Sequence, residues 1–92
     1  MIQAEYEINL TNGIIEQFKA ITGADVTDQE KEDGYINIIV DVYPNERCPD
    51  IEVSEWFYGE RSILRSVEVD EQIIDFIKLN TEGFEEHIDS LI

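Results

Sequence analysis

Ile2-Gln3-Ala4-Glu5-Tyr6-Glu7-Ile8-Asn9-Leu10 alternates without a fault: Ile2, Ala4, Tyr6, Ile8 and Leu10 on one face, Gln3, Glu5, Glu7 and Asn9 on the other. A period of two with one apolar face is the pattern of a half-buried strand. It commits the chain to a sheet that needs a cover. The cover begins at once. Thr11 or Asn12 supplies an N-cap, Ile14, Ile15, Phe18 and Ile21 recur at helical spacing, and Gly23 closes the helix. Residues 24–34 hold five acids, one lysine and almost nothing apolar, which predicts an exposed acidic loop ending at Gly34. Tyr35–Tyr43 alternates again through Ile36, Ile38, Val40 and Val42, and Ile39 on its second face marks a central strand. Pro44 ends it, and residues 45–49 form the connecting turn. Ile51–Tyr58 and Arg61–Val69 flank Gly59-Glu60, a spacing that suits a type II′ hairpin. Asp70 then caps a helix with Ile73, Ile74 and Ile77 inward, and a last helical stretch puts Phe84, Ile88, Leu91 and Ile92 on one face. The expected order is β-α-β-β-β-α-α: a single α+β domain spanning 1–92, with a mostly antiparallel four-stranded sheet and helices packed on one face.

The chain of 92 residues carries 22 acidic and 6 basic side chains, a formal net charge of −16. Direct nucleic-acid binding through phosphates needs clustered lysine and arginine, so it is excluded, and an anionic membrane surface with it. No apolar run approaches the roughly 18–20 residues of a membrane span. The opening residues lack the basic-then-apolar profile of a secretory leader, so a cytoplasmic protein is expected. Composition does not predict disorder, since 42% of the residues are apolar. The charge is spread, each half of the chain carrying a net −8. An even spread through periodic segments describes a folded body with a negative surface rather than an acidic tail.

Motifs that carry chemistry are few. Counted from Asp28, Glu30 and Glu32 fit the ligand spacing of an EF-hand, but the sixth position is Asp33 instead of Gly and the twelfth is Ile39 instead of Glu. A solvated loop is the better reading. Asp89-Ser90-Leu91 resembles the modified tripeptide of acyl carrier proteins, yet strands precede it here and those proteins are all-helical, so the match is set aside. Cys48 lies between Arg47 and Pro49, far in sequence from the single histidine, His87. That pair makes neither a nucleophile with its base nor a zinc site. No catalytic residue, metal ligand or cofactor site is expected, and the protein is not read as an enzyme.

What remains is acid with aromatic punctuation. Asp25, Asp28, Glu30, Glu32 and Asp33 form one dense stretch, and Asp70, Glu71, Asp75, Glu82, Glu85, Glu86 and Asp89 form another. Glu71 and Asp75, Glu82 and Glu86, and Glu85 and Asp89 are each four apart, where like charges weaken a helix. A local cost without structural gain points to a partner. Trp56 and Tyr58 lie among these acids, and Trp56 is either buried by a second layer, the reading slightly favoured, or an exposed anchor.

In size, charge and mixed α/β content this profile resembles the small acidic inhibitors of phages and mobile elements: anti-CRISPR proteins, anti-restriction proteins and uracil-DNA glycosylase inhibitors. The resemblance implies a DNA-mimicking inhibitor, anti-CRISPR above all, acting in the host cytoplasm as a monomer or homodimer. Its partner would be a basic nucleic-acid enzyme such as a Cas effector, held through the two acidic stretches with Trp56 and Tyr58. Two other readings stay open. One is an immunity or antitoxin protein that neutralises a basic toxin; the other is a self-associating accessory protein.

Overall fold

In the computed structural model, residues 1–45, 47, 49–59, 61 and 63–92 are described. The alternating opening stretch forms β1 (Ile2–Asn9), which pairs antiparallel with β2 (Tyr35–Tyr43) from Ile2 opposite Val42 to Asn9 opposite Tyr35. A short β3 (Asp50–Val53) pairs antiparallel with the other edge of β2, Val40 opposite Val53. The order β1-β2-β3 makes β2 central, as its apolar content requires. Ala4, Tyr6 and Ile8 stand on the same face as Ile36, Ile38, Val40 and Val42, and all are buried. That face is the floor of the core.

Helices roof it. α1 (Asn12–Thr22) is capped by Thr11 Oγ1, which accepts from the Ile14 amide at 3.2 Å, and it buries Ile14 and Phe18. α2 (Asp28–Asp33) lies inside the stretch read as an acidic loop. Thr27 and Glu30 close a capping box, satisfying two amides that a loop would leave to water. Gly34 ends α2 at φ 84°, a left-handed geometry that a side chain resists, and so lets the chain turn directly into β2.

The largest correction falls between residues 54 and 69. The strand expected over Ile51–Tyr58 stops at Val53, and α3 (Glu55–Tyr58) follows, begun by Ser54, whose hydroxyl accepts from the Trp56 amide at 3.2 Å. The fourth strand expected over Arg61–Val69 is not found among the described residues, and the sheet has three strands. Ser66 caps a longer helix, α4 (Val67–Asn80), so Asp70 lies in its first turn and is not its cap. The β-branched pair Val67 and Val69 mimics strand alternation, whereas Val69, Ile73, Phe76 and Ile77 follow the helical period that buries them. Of the expected Gly59-Glu60 turn, Glu60 lies outside the described residues. α5 (Phe84–Ser90) begins two residues later than the acidic run, so Glu82 precedes it and does not share a helix with Glu86. The result is an α+β domain with an antiparallel sheet covered on one side. No helix among the described residues is long and apolar enough to cross a membrane.

Candidate functional site

The uncovered face of the sheet gathers what the helices do not use. Antiparallel register places Gln3 opposite Asp41, Asp41 opposite Glu52, Glu5 opposite Ile39 and Glu7 opposite Asn37. Glu5, Glu7, Asp41, Asp50 and Glu52 therefore share this face, and no lysine or arginine of the three strands joins them. Carboxylates two apart on a strand are about 7 Å apart, and neighbouring strands about 5 Å. Asp41 accepts a hydrogen bond from Gln3 Nε2 at 3.2 Å, and Glu5 one from Asn37 Nδ2 at 3.4 Å, which holds both carboxylates against the sheet.

At one end of this face stands Trp56. A helical turn advances about 100° per residue, so α3 sends Phe57 and Tyr58 into the core and Glu55 and Trp56 outward. Trp56 is 78% exposed, against the expectation of a core residue. It borders a concavity of about 310 Å³ together with Asp41, Tyr43, Glu52, Glu55 and Arg65, the last paired with Glu55 at 3.4 Å. An exposed indole face with Asp41 and Glu52 near it is chemically able to hold an ammonium or guanidinium group.

The residues singled out from sequence divide sharply. Tyr58 is buried and donates its hydroxyl proton to the Asp70 carboxylate. Burial first, and then that carboxylate, push the phenol pKa far above its usual value. Asp70 is also 3.6 Å from Arg65 Nε, whose guanidinium lies over the Tyr58 ring. Tyr58 and Asp70 hold α3 to α4 and present little to a partner. Glu30 is the second internal acid. It makes a bidentate pair with Arg61, each side chain less than 15% exposed, and Arg61 stacks over Phe57 at 4.5 Å. Burial pushes the Glu30 carboxyl up, but the hydrogen bonds from Arg61 and the Thr27 amide prevail and hold it below the usual glutamate value. Asp25 faces Lys31 at 3.1 Å and Lys19 at 3.5 Å, and its pKa is lowered, first by the bond from Lys31.

Asp28, Glu32 and Asp33 on α2, Glu71 and Asp75 on α4, and Glu82, Glu85, Glu86 and Asp89 at α5 are exposed. Glu71 with Asp75 and Glu85 with Asp89 keep their like-charge spacing within one helix. The acids of the open sheet face were not singled out, because register, which brings Asp41 and Glu52 beside Glu5, is not written in any one strand. The signal within reach was the polar face of β1 itself.

His87 is exposed on α5 but joins the core rim, with Nδ1 2.8 Å from the Tyr6 hydroxyl. Among the described residues no group of three or more histidine, cysteine, aspartate or glutamate side chains is placed to hold a metal, and no buried side-chain polar atom lacks a partner. Cys48 lies outside the described residues. Comparison of the chain with protein-family models, curated proteins and solved structures finds no match.

Proposed function

We propose that the protein inhibits a nucleic-acid enzyme by offering carboxylates to the basic cleft that otherwise receives phosphates, as anti-CRISPR proteins do. The observation that carries this reading is the open sheet face, on which Glu5, Glu7, Asp41, Asp50 and Glu52 stand with no basic strand residue among them. The strands fix the backbone positions of these charges before binding, and bonds from Gln3 and Asn37 hold Asp41 and Glu5, which lessens the ordering that opposes association. Four of the chain's six basic residues are paired with other acids. Lys19, Lys31, Arg61 and Arg65 are engaged by Asp25, Glu30, Glu55 and Asp70.

Size supports the same reading. The long axis of 39 Å spans roughly eleven base-pair steps at about 3.4 Å each. Duplex DNA carries a charge per about 1.7 Å of axis, so the protein meets only some of the basic subsites of such a cleft. Long-range attraction gives fast association, and Trp56 adds the desolvated contact that exposed ion pairs lack. The site of action in this reading is the host cytoplasm.

Exposure of Trp56 beside acids favours one second reading, an immunity protein that neutralises a basic toxin. The two separate in cells. A strain carrying a Cas effector and an infecting phage is expected to lose interference when the protein is expressed. Glu5→Lys with Glu7→Lys and Glu52→Lys is expected to restore interference. Unchanged interference against every effector and restriction nuclease tried, with rescue of cells from a basic toxin, would move the assignment to the immunity class.

A further inference from the structure

The geometry points to a second docking element on the same molecule: the outer edge of β3 takes up an extended segment of a partner protein as an added strand, alternately basic and apolar. Ladder direction comes first. The Ser54 amide donates to the Ile39 carbonyl at 2.9 Å, and the register continues through Asp41 opposite Glu52 and Tyr43 opposite Asp50. In an antiparallel pair the bonding residues alternate, so Ile51 and Val53 direct their amides and carbonyls away from β2. No described strand lies on that side. Among the described residues only the Val53 carbonyl is met there, by Arg65 Nη2 at 3.0 Å, a side chain standing where a neighbouring strand's amide would be.

Space and chemistry agree with the ladder. A groove of about 480 Å³ runs between this edge and the first turns of α4. Its inner wall offers Ile51, Ile74 and Val67, the last 76% exposed. Its outer lip carries Asp50 and Glu52, and Glu71 stands on the α4 side. Side chains of an added strand alternate between the two faces. Those toward α4 meet Ile51, Val67 and Ile74 between Glu71 and the Arg65–Asp70 pair, and those toward the open sheet face meet Asp50 and Glu52. An edge strand beside a helix, with main-chain bonds for affinity and alternate pockets for specificity, is the arrangement of strand-addition recognition.

A second copy of this chain is the wrong occupant. Pairing β3 with itself would set acids against acids across the ladder, between two bodies each carrying −16. The inference stands apart from the proposed inhibition, since any basic extended segment meets these requirements whatever enzyme bears it.

The test uses the full chain and a capped heptapeptide alternating lysine and valine. Titration followed by amide NMR is expected to shift Ile51 and Val53 and to slow their hydrogen exchange, while amides of the core strand β2 stay unaffected. The same peptide N-methylated at the residues whose amides face β3 keeps its charge and loses the ladder, and should bind about tenfold more weakly. Equal binding of both peptides, or shifts confined to the open sheet face or to β1, would overturn the proposal. So would concentration-dependent protection of Ile51 and Val53 in the protein alone, which would assign the edge to a second copy.

Discussion

At the scale of single residues, the acids that look alike in sequence do two different jobs. Glu30 is bound to Arg61 and belongs to the fold, whereas Glu32, two residues on, is exposed. Arg61→Ala leaves a largely buried carboxylate without its partner and removes a cation from the Phe57 ring, so it should cost about 3 kcal/mol in denaturant unfolding. The Glu30 carboxyl has a lowered pKa in the folded state. Its stabilisation is therefore present in full above the unfolded glutamate value of about 4.3 and is lost as pH falls through the folded value. Glu30→Gln should lower stability at neutral pH and flatten the acid limb of a stability-against-pH curve. Trp56→Ala separates interface from fold. Its ring is exposed, so unfolding should change by no more than about 0.5 kcal/mol, while binding to the partner weakens by about 2 kcal/mol, roughly thirtyfold. A large loss of stability on that substitution would return Trp56 to the core.

At the scale of elements, strands with one apolar face were legible and the turns that redirect the chain were not. β1 and β2 follow their alternation along their length, because each buries a single face and a one-residue slip would turn every side chain over. α1 was legible from Thr11 and Gly23, which cap it as their residue types suggest. Residues 54–69 misled because Val67, Val69 and the aromatic run 56–58 have high strand propensity, which tertiary context overrides. The deciding signals were small: Ser54 and Ser66, each accepting a backbone bond at a helix start, and Thr27 with Glu30 three residues later. Ser66→Ala should cost about 1 kcal/mol and fray the first turn of α4, read as lost protection of the Val69 amide. That turn also walls the groove along β3, so cap and groove are coupled. The acidic sheet face was out of reach because it is assembled by pairing across β1, β2 and β3, and no window of sequence contains it.

For the whole molecule, the surplus of sixteen negative charges acts with opposite sign on folding and on binding. Salt screens self-repulsion over about 8–10 Å, so raising it from about 0.05 to 0.5 M should raise the melting temperature. The same change should slow association with a basic partner by ten-fold or more. A protein whose charge served solubility alone would show the first effect without the second. The most direct measurement is a competition: labelled duplex prebound to a Cas effector or another basic nuclease, displaced by this protein, and followed by fluorescence anisotropy at about 0.05 M and 0.5 M salt. The account predicts stoichiometric displacement at low salt, weakened at high salt and abolished by lysine at positions 5, 7 and 52. Duplex that stays bound at every protein concentration, on every such enzyme, would contradict it.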